Sequence, residues 1–380
     1  MGGFIFAGLA FLAAAQHPFG TYPASLFLLR KRPVGLAAPS GADRPTVAVC
    51  MSAFNEARVI VDKVESLIAM KAHYGPATLH VYVDGAEDET AALLRPYADR
   101  IDLVVSSERH GKTAGLNLLV ARSKSELLAF TDANVHTPKH GLAELAAAFA
   151  QPDVGCATAR LGYSNPDETG MSSAGSVYWR VEEAIKTRES RTVGVVGVDG
   201  AFFMMARSLY EPAPPSLIDD LYVSLIVFAS DRRVVSAPTV QVWERSATRD
   251  EEEFARKSRI ACQAVNVHFA LWPRLSRMSA IKVYAYVSHR VLKWLIPFNL
   301  LMAGALIFAE CSYRIGFFGA AAAVGLGASG LLLAAWSGFR PARTILSMLV
   351  SLAGVGRGVF QSLARSKTYT TWTPAASIRG

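Results

Sequence analysis

Cysteine and charge are both scarce in this sequence. Its 380 residues include four cysteines, and charged side chains make up 18% of the chain. Cys50, Cys156, Cys262 and Cys311 are far apart, and none belongs to a Cys-x-x-Cys pair. This spacing argues against a zinc site or a disulfide framework and is typical of a reducing cytosol.

Charge is almost absent from three long stretches near the two ends. Residues 3–29 and 315–339 contain no Asp, Glu, Lys or Arg, and residues 291–309 contain only Lys293. A helix of roughly 20 apolar residues spans a bilayer. The sequence therefore predicts an integral membrane protein.

The first apolar stretch does not resemble a signal peptide. It lacks a basic segment before the apolar run, and the basic cluster Arg30-Lys31-Arg32 follows that run instead. The positive-inside rule then places residue 30 onward in the cytoplasm. Pro18, Gly20 and Pro23 interrupt the stretch, so an interfacial hairpin is the alternative to a full span.

The C-terminal apolar stretches predict a multi-pass topology in the inner membrane. Residues 291–309 should cross outward and residues 315–336 should return. The next run, 344–363, contains Arg357, and a charge at mid-membrane is costly unless it faces protein or water. We therefore expect this run to re-enter or to lie along the cytoplasmic face. The C-terminus would be cytosolic, with Trp372 near the cytosolic part of the chain that precedes these stretches.

The formal net charge of +8 has a membrane explanation. Basic residues at 30–32 and 274–293 adjoin apolar segments, where they suit anionic lipid headgroups. Residues 271–293 contain both aromatic and basic side chains, a composition that predicts an interfacial helix there. No interleaved basic and stacking-aromatic pattern of the nucleic-acid-binding kind occurs, so membrane lipids are the expected partner and nucleic acid is not.

Between the two ends, apolar runs with strand and helix patterns alternate. The predicted strands are 46–52, 79–83, 101–105 and 126–131, and the predicted helices are 56–70, 87–98, 112–123, 139–150 and 250–270. This order predicts an α/β fold with a mostly parallel sheet, whose ligands bind at the carboxyl ends of the strands. Asn55, Asp84 and Asp132 stand there. The less regular residues 154–245 are interpreted as the acceptor-side half of the same domain.

The domain boundaries follow from these patterns. We expect an N-terminal membrane segment at 1–32, a linker at 33–45, a cytosolic domain at 46–270, the interfacial helix at 271–293, membrane helices at 294–364 and a tail at 365–380.

Several short motifs occur in a specific order within the predicted domain. They are Ala53-Phe54-Asn55-Glu56, Asp84-Gly85-Ala86, His110-Gly111-Lys112, Asp132-Ala133-Asn134, Tyr178-Trp179 with Glu182, Gly197 with Gly200, Asp219-Asp220, and Arg256 with Arg259. This ordered set resembles family 2 glycosyltransferases, in particular the membrane-bound branch with the cellulose, hyaluronan and poly-N-acetylglucosamine synthases. The resemblance covers roughly residues 46–270 and implies a GT-A-like domain flanked by membrane helices.

The resemblance implies a nucleotide-binding site, formed by seven residues that match the donor-binding residues of the family. They are Ala53, Asn55, Glu56, Asp84, Lys112, Asp132 and Arg256. Simpler interpretations remain for some of them. Asn55 and Glu56 could cap a helix, and Asp84 could form a turn with Gly85. An ATPase P-loop around Lys112 is disfavoured, because that motif needs glycine where Ser106 stands.

Asp132-Ala133-Asn134 stands in the place of the family's DxD motif, which implies a site for Mg²⁺ or Mn²⁺. In an extended segment, residues i and i+2 lie on the same side, so Asp132 and Asn134 can face one ion. Hard cations take oxygen ligands and share them with substrate phosphates. Asn134 offers a neutral amide, and it could instead be a turn residue before Pro138.

The catalytic groups implied by the resemblance are Asp220, Asp219 and Arg259. The second member of the acidic pair, Asp220, is the expected general base, with Asp219 in a supporting role. Arg259 would stabilise the charge that develops on the departing diphosphate. The pair could otherwise cap a helix, and Arg256 and Arg259 could form a solvated basic face. Ile260 replaces the tryptophan of the family's Gln-x-x-Arg-Trp motif.

Together these features predict a membrane-anchored inverting glycosyltransferase. The donor would be a nucleotide diphosphate sugar, with UDP expected, and the acceptor a glycan or a lipid-linked molecule. Polymer synthesis with export, a single addition to a lipid-linked acceptor, and an inactive nucleotide-sugar-binding subunit remain as alternatives. The presence of Asp132 and Asp220 disfavours the last of these.

Overall fold

The computed structural model describes residues 3–35, 44–165 and 170–371, and of residues 170–177 it describes the backbone alone. Most of the predicted linker, 36–43, and Trp372 lie outside the described residues. The strands are β1 (Val47–Ala53), β2 (Ala77–Asp84), β3 (Asp102–Ser106), β4 (Leu127–Thr131), β5 (Val154–Tyr163), β6 (Phe202–Ala206) and β7 (Arg233–Glu244). The helices are α1 (Gly3–Gln16), α2 (Thr21–Ser25), α3 (Ile60–Tyr74), α4 (Thr90–Leu94), α5 (Lys112–Arg122), α6 (Gly141–Ala147), α7 (Gly170–Ser190), α8 (Asp219–Ala229), α9 (Asp250–Leu275), α10 (Ala280–Tyr286), α11 (Leu292–Trp336) and α12 (Arg340–Leu363).

The strands form one seven-stranded sheet in the order β3-β2-β1-β4-β6-β5-β7. β1 pairs in parallel with both β2 and β4, and β2 pairs in parallel with β3. β6 runs antiparallel to β4 and β5, whereas β5 and β7 are parallel. Every residue of β4 is buried, as expected when helices cover both faces of a sheet. The predicted α/β class with a mostly parallel sheet is confirmed.

The helix after β1 begins later than the sequence predicts. The predicted helix covers residues 56–70, but α3 begins at Ile60. Asn55 has a φ of 52°, in the left-handed region that asparagine tolerates, and its Oδ1 accepts the backbone N–H of Glu87 at 2.9 Å. Residues 56–59 are therefore a turn tied to the loop after β2. The helix continues to Tyr74 and ends there, because the next residue, Gly75, has a φ of 99°, which is not helical.

The second half of the domain is more regular than expected. The predicted irregular segment 154–245 contains β5, β6 and β7, together with α7 and α8. In β7 the alternation of burial breaks at Pro238 and Thr239, which are both exposed, and this break hides the strand in the sequence. In α7, charged residues occupy buried positions, so its helical pattern is not apolar; they are Glu182, Glu183, Lys186 and Glu189.

The segment predicted as one interfacial helix, 271–293, is divided in the structure. α9 continues to Leu275, a turn follows, and α10 begins at Ala280. α10 then passes through a π-helical turn, Val287–Val291, directly into α11. The wide turn leaves Arg290 beside the domain, where its guanidinium donates to the carbonyl oxygens of Val196 and Gly197 at 2.7 and 2.9 Å. This segment is thus a connection between the domain and α11.

Two helical stretches in the described part of the chain, Ala280–Trp336 and Arg340–Leu363, are long and apolar enough to cross a membrane. A third exists if Gly3–Gln16 and Thr21–Leu28, which are bent by 64°, form one span. α11 is itself bent at Gly316, whose φ of 77° and ψ of 155° are not helical. The rings of Phe308 and Phe317 lie 5.7 Å apart, although nine residues of straight helix would place them on opposite faces. The chain therefore bends sharply at Gly316.

The terminal helices pack onto one another and onto the domain. α12 lies against α9, where Ser258 Oγ donates to the carbonyl oxygen of Gly354 at 3.0 Å. Further along, Ser362 Oγ donates to Asn266 Oδ1 at 2.6 Å. α1 lies along the first half of α11, with the Gly8 backbone against Ile307. Because α9 begins in the domain, α12 is held close to the domain.

Candidate active site

The carboxyl ends of the parallel strands and the first turn of α8 meet at one large cavity. Asp84 ends β2, Asp132 follows β4, and Asp219 and Asp220 begin α8. All four line the cavity, whose volume is about 1340 Å³. Sites for one small molecule measure roughly 300–1,000 Å³. The cavity therefore has room for two substrates side by side.

Lys112 joins the strand-end carboxylate to the acidic pair. It is the first residue of α5, and its Nζ lies 2.7 Å from Asp132 Oδ1 and 3.6 Å from Asp219 Oδ2. Burial disfavours the ammonium, but the carboxylates of Asp132, Asp219 and Asp220 outweigh this effect and raise the pKa of Lys112. Lys112 is therefore a fixed positive charge between the two acidic elements.

Gly200 lies where these groups converge. A Cβ atom at this position would lie 3.1 Å from Asp220 Oδ2, 3.1 Å from Lys112 Nζ and 3.4 Å from Asp132 Oδ2. A side chain here would crowd all three polar groups. The glycine therefore leaves open the space in which a substrate atom can contact them.

The acidic pair has an unusual electrostatic environment. Burial, and then the neighbouring carboxylate of Asp219, raise the pKa of Asp220 to about 7. Burial also raises the pKa of Asp219, while Lys112 acts in the opposite direction. A carboxyl with a pKa near the ambient pH is suited to accept a proton during a reaction. The helix-capping alternative is wrong, because the N-cap of α8 is Ile218 and both aspartates lie in the first turn of the helix. Asp220 Oδ1 accepts the N–H of its neighbour Leu221 at 2.5 Å.

Asp84 organises the loop before α5. Its Oδ1 accepts the backbone N–H of His110 at 2.7 Å, and its Oδ2 accepts that of Gly111 at 3.0 Å. Arg109 lies 4.0 Å from the same carboxylate and stacks over the ring of Phe54 at 3.5 Å. Asp84, Arg109 and Phe54 all line the cavity. This end of the cavity thus offers a flat, cationic surface.

The loop after β1 contributes through different residues than predicted. The cavity is lined by Ser52, Phe54 and Glu56, whereas Ala53 is packed in the core at 2% exposure. Asn55 uses its side-chain oxygen on the Glu87 N–H. Alternation along the end of β1 explains the difference, because neighbouring residues face opposite sides. Of this predicted set, Glu56 is brought to the site, and Ala53 and Asn55 shape the loop behind it.

The loop after β4 is held in place by a buried lysine. Lys63 of α3 donates to Thr131 Oγ1 at 2.9 Å and to the carbonyl oxygen of Val135 at 2.6 Å. Burial lowers the pKa of Lys63 to about 7. These two bonds bracket Asp132 and Asn134 and fix their backbone.

Glu244 is a cavity residue that the sequence interpretation missed. It ends β7, lines the cavity, and accepts a hydrogen bond from Asn134 Nδ2 at 3.4 Å. Burial raises its pKa to about 7, although Arg256 acts in the opposite direction. It stands at a strand end, as Asp84 does, and this signal was lost because β7 was not recognised.

The two arginines of α9 lie on the cavity wall. Arg256 donates to Glu253 Oε2 at 3.4 Å, and Arg259 donates to Gln263 Oε1 at 3.1 Å. Burial, and then Arg256, lower the pKa of Arg259 to about 10, so it stays charged at neutral pH. Asp220 and Asp132 act on Arg259 electrostatically in the opposite direction. Both arginines line the cavity, but only Arg259 lies within the influence of Asp220 and Asp132, whereas Arg256 is paired with Glu253.

The residues at Asp132 fit a divalent cation that shares its ligands with a substrate. The described residues do not include a group of three or more acidic, histidine or cysteine side chains that could enclose a metal. Mg²⁺ commonly binds one or two protein ligands plus substrate phosphates. Lys112 contacts Oδ1 of Asp132, so Oδ2, which lies beside Gly200, can be a metal ligand. Asn134 uses its side-chain nitrogen for the bond to Glu244, so its amide oxygen can be the second ligand.

The segment after α12 returns to the cavity. Lys367, Tyr369 and Thr370 line it, and the carbonyl oxygen of Tyr369 accepts a hydrogen bond from Gln263 Nε2 at 2.9 Å. Thr370 lies so close to Gly111 that a side chain on Gly111 would overlap its carbonyl oxygen. Trp372, predicted near the domain, is outside the described residues, but the residues just before it reach the domain.

The mostly parallel seven-stranded sheet has a GT-A-like fold, and the chain is a glycosyltransferase. Residues 48–212 match the model described as "Glycosyl transferase family 2". The match does not distinguish the membrane-bound synthase branch, which stays a prediction. No curated protein sequence matches the chain.

A solved mannosyltransferase structure shares the fold. A mannosyltransferase from Pyrobaculum calidifontis, solved with GDP-Man and Mn²⁺, is 22% identical with a TM-score of 0.74, over 96% of this chain and 100% of that chain. Because the match covers 96% of this chain, the common fold includes the terminal helices. Glucosyl-3-phosphoglycerate synthase from Mycobacterium tuberculosis is 14% identical with a TM-score of 0.41, over 59% of this chain and 80% of that chain. TarS 1-349 from S. aureus, solved with UDP-GlcNAc, is 14% identical with a TM-score of 0.40, over 74% of this chain and 92% of that chain.

Proposed function

We propose that this glycosyltransferase moves a sugar from a UDP-sugar to a hydroxyl of a glycan or lipid-linked acceptor, with inversion, at the cytoplasmic face of the inner membrane. The observation that supports this most is the convergence of Asp220, Lys112 and Asp132 around Gly200 within one cavity. A base for the acceptor and a cationic centre for the diphosphate are then only a few ångströms apart.

The chemistry follows from these positions. Asp220 accepts the proton of the acceptor hydroxyl, while the oxygen of that hydroxyl forms a bond to the anomeric carbon of the donor sugar. The bond from that carbon to the diphosphate breaks on the opposite face, and UDP leaves with the electron pair. Lys112 and Arg259 supply positive charge for the leaving diphosphate. Asp84 and the Arg109–Phe54 stack lie at the end of the cavity where the nucleoside would bind.

A divalent cation, Mg²⁺ or Mn²⁺, would be held by Asp132 with Asn134 as a weaker ligand. When bound, such an ion neutralises the diphosphate and helps it to depart. Asp219 supports Asp220 by keeping its proton affinity high and by fixing Lys112 at 3.6 Å.

The base assignment is tested by Asp220→Asn in the full-length protein in membranes. We expect transfer to fall by about three orders of magnitude or more, while UDP affinity stays within about twofold, because Asp220 acts on the acceptor. The assay supplies a panel of UDP-sugars and, since the mannosyltransferase neighbour was solved with GDP-Man, GDP-mannose, and it measures nucleotide release and product mass. Asp231→Asn, at an exposed loop position, is the matched control. Near-normal turnover of Asp220→Asn would show that another group is the base.

The donor assignment is tested by Asp132→Ala. This change removes the carboxylate that pairs with Lys112, so UDP binding in the presence of Mg²⁺ or Mn²⁺ should weaken about tenfold or more. In EDTA the variant and the unchanged protein should bind UDP equally weakly. Metal-independent binding of UDP by both proteins would contradict a metal site at Asp132.

A further inference from the structure

The cavity continues beyond the reaction centre as an apolar passage between the terminal helices. On α9 the passage begins at Ile260, next to Arg259, and it includes Ala261 and Ala264. Its other walls come from α1, α11 and α12. α1 and the turn after it contribute Leu12, Ala15 and Phe19. α11 contributes Ile296 and Leu300, and α12 contributes Met348, Leu352 and Val355.

The side chains of these walls are not suited to a glycan. Among the cavity residues that α1 and α12 contribute, only Gln16 and Ser351 are polar. A sugar chain in this passage would lose hydrogen bonds to water without replacing them, which is costly. A hydrocarbon chain forms no hydrogen bonds with water and therefore loses none in the passage. The wall chemistry therefore favours an acyl or polyprenyl chain over an oligosaccharide.

The passage opens sideways on the apolar outer surface of the helices. Leu12 of α1 and Met348 of α12 line it and are each 36% exposed. On α11, Leu301 and Met302 follow the wall residue Leu300 and are 73% and 47% exposed. α11 belongs to a stretch that can cross a membrane. A lipid can thus enter from the bilayer with its tail still in an apolar medium.

Two lysines between the passage and the reaction centre already have acidic partners. Lys257 lies 3.4 Å from Glu253, and Lys293 pairs with Glu182. Paired charges of this kind can donate to and accept from hydroxyl groups. A phosphate nucleophile would instead place its negative charge beside Asp219 and Asp220, and it would need no base.

We propose that the acceptor is a membrane lipid whose headgroup presents a free hydroxyl, and that it enters through this passage. The proposal rests on the proposed function and specifies its acceptor. The hydroxyl oxygen bonds to the anomeric carbon, its proton passes to Asp220, and UDP leaves. The product is a glycoside that remains in the membrane.

The product's chemistry tests the acceptor class. Membranes that contain the full-length protein are incubated with radiolabelled UDP-glucose, UDP-galactose, UDP-GlcNAc and GDP-mannose, and are then extracted with chloroform and methanol. We expect label in the organic phase that mild acid does not release as a free monosaccharide. Release as a free monosaccharide would show transfer to a lipid phosphate and overturn the hydroxyl acceptor. Label in a water-soluble or insoluble polymer would overturn the lipid acceptor.

A pair of variants on α12 tests the route. Leu352→Trp fills the passage, and Leu349→Trp, three residues earlier and 50% exposed, adds the same bulk outside it. We expect Leu352→Trp to lower lipid labelling about tenfold or more, with UDP affinity unchanged, and Leu349→Trp to have little effect. Equal labelling by both variants would overturn the passage as the route. A thermal unfolding midpoint for each variant identifies loss of fold.

Failure of the two proposals can be told apart. If no donor in the panel yields UDP or GDP release, and none binds, the proposed function is wrong. If UDP is released and its release depends on Asp220, but the product is not a lipid, the function stands and the acceptor proposal is wrong. If only GDP is released, the UDP donor of the proposed function is wrong.

Discussion

At the scale of single residues, the burial of two adjacent carboxyls determines how the enzyme should respond to pH. The pKa of Asp220 is raised to about 7, by burial first and by Asp219 second. A base must be deprotonated to act, so kcat/KM should rise with pH up to about 7 and then level off. Removing the neighbouring charge in Asp219→Asn should move this rise to lower pH, because Asp220 then ionises more easily.

The measurement is a pH profile of transfer for both proteins at saturating metal. Asp231→Asn, an exposed change on the domain surface, is the control and should leave the profile in place. An Asp219→Asn profile shifted to higher pH, or unshifted, would mean that Asp219 does not set the titration of the base.

Gly200 provides a second test at this scale. In Gly200→Ala the new methyl group would lie 3.1 Å from both Asp220 Oδ2 and Lys112 Nζ, so these groups must move apart by a few tenths of an ångström. Such displacements in a catalytic centre are costly, and we expect kcat to fall roughly tenfold or more. Gly304→Ala on α11 meets no atom within 4 Å and should be nearly neutral. An unchanged kcat in Gly200→Ala would mean that this space is not used.

Much of the candidate site could be predicted from local signals. Asp84 and Asp132 end apolar strand runs, and the parallel arrangement brings such ends together. The loop after β1 could not be predicted at this detail, because the left-handed backbone of Asn55 depends on its bond to Glu87, far away in sequence. Glu244 was missed for a similar reason, since β7 is defined by pairing with β5 rather than by its own pattern.

At the scale of helices and strands, some elements are likewise predictable from their own sequence, whereas others depend on distant partners. β1 and β4, in the middle of the sheet, are almost entirely apolar and buried, because helices cover both faces, and the sequence shows this directly. α7 does not show its buried side in the sequence, because that side consists of charges in mutual pairs. Lys186, for instance, lies 3.0 Å from Glu183 and 2.6 Å from Asp199. Such a helix is recognisable only once its partners are known.

The contact between α9 and α12 leads to a stability prediction. A side chain at Gly358 would overlap the carbonyl oxygen of Ser258 and lie 2.8 Å from the Ala261 Cβ, whereas one at Gly356 would be 3.4 Å from Pro297. We expect Gly358→Ala to destabilise the protein by about 1–3 kcal/mol, since the backbone of α9 must move. Gly356→Ala should be neutral or slightly stabilising, because alanine favours a helix. Thermal unfolding in detergent compares the two, and equal midpoints would contradict close packing here.

At the scale of the whole molecule, the position of the C-terminal segment restricts the membrane topology. Thr370 lies against Gly111 of the catalytic domain, so in the membrane placement that we propose the end of α12 would be on the domain's side of the bilayer. The bend at Gly316 divides α11 into two apolar parts, which could cross outward and return. Arg340 and Arg343, at the start of α12, would then also be on the domain's side, as the positive-inside rule requires.

We therefore predict that α12 does not cross the bilayer and that both ends of it are cytosolic. The test places single cysteines at Phe318, beside the bend, and at Ser337, before α12, in a background with Cys311→Ser; both positions are exposed. A membrane-impermeant thiol reagent added to spheroplasts should label Phe318→Cys and not Ser337→Cys, and a C-terminal tag should stay inaccessible until the membrane is opened. Labelling of Ser337→Cys from outside would make α12 a full span, because its far end is held at the catalytic domain.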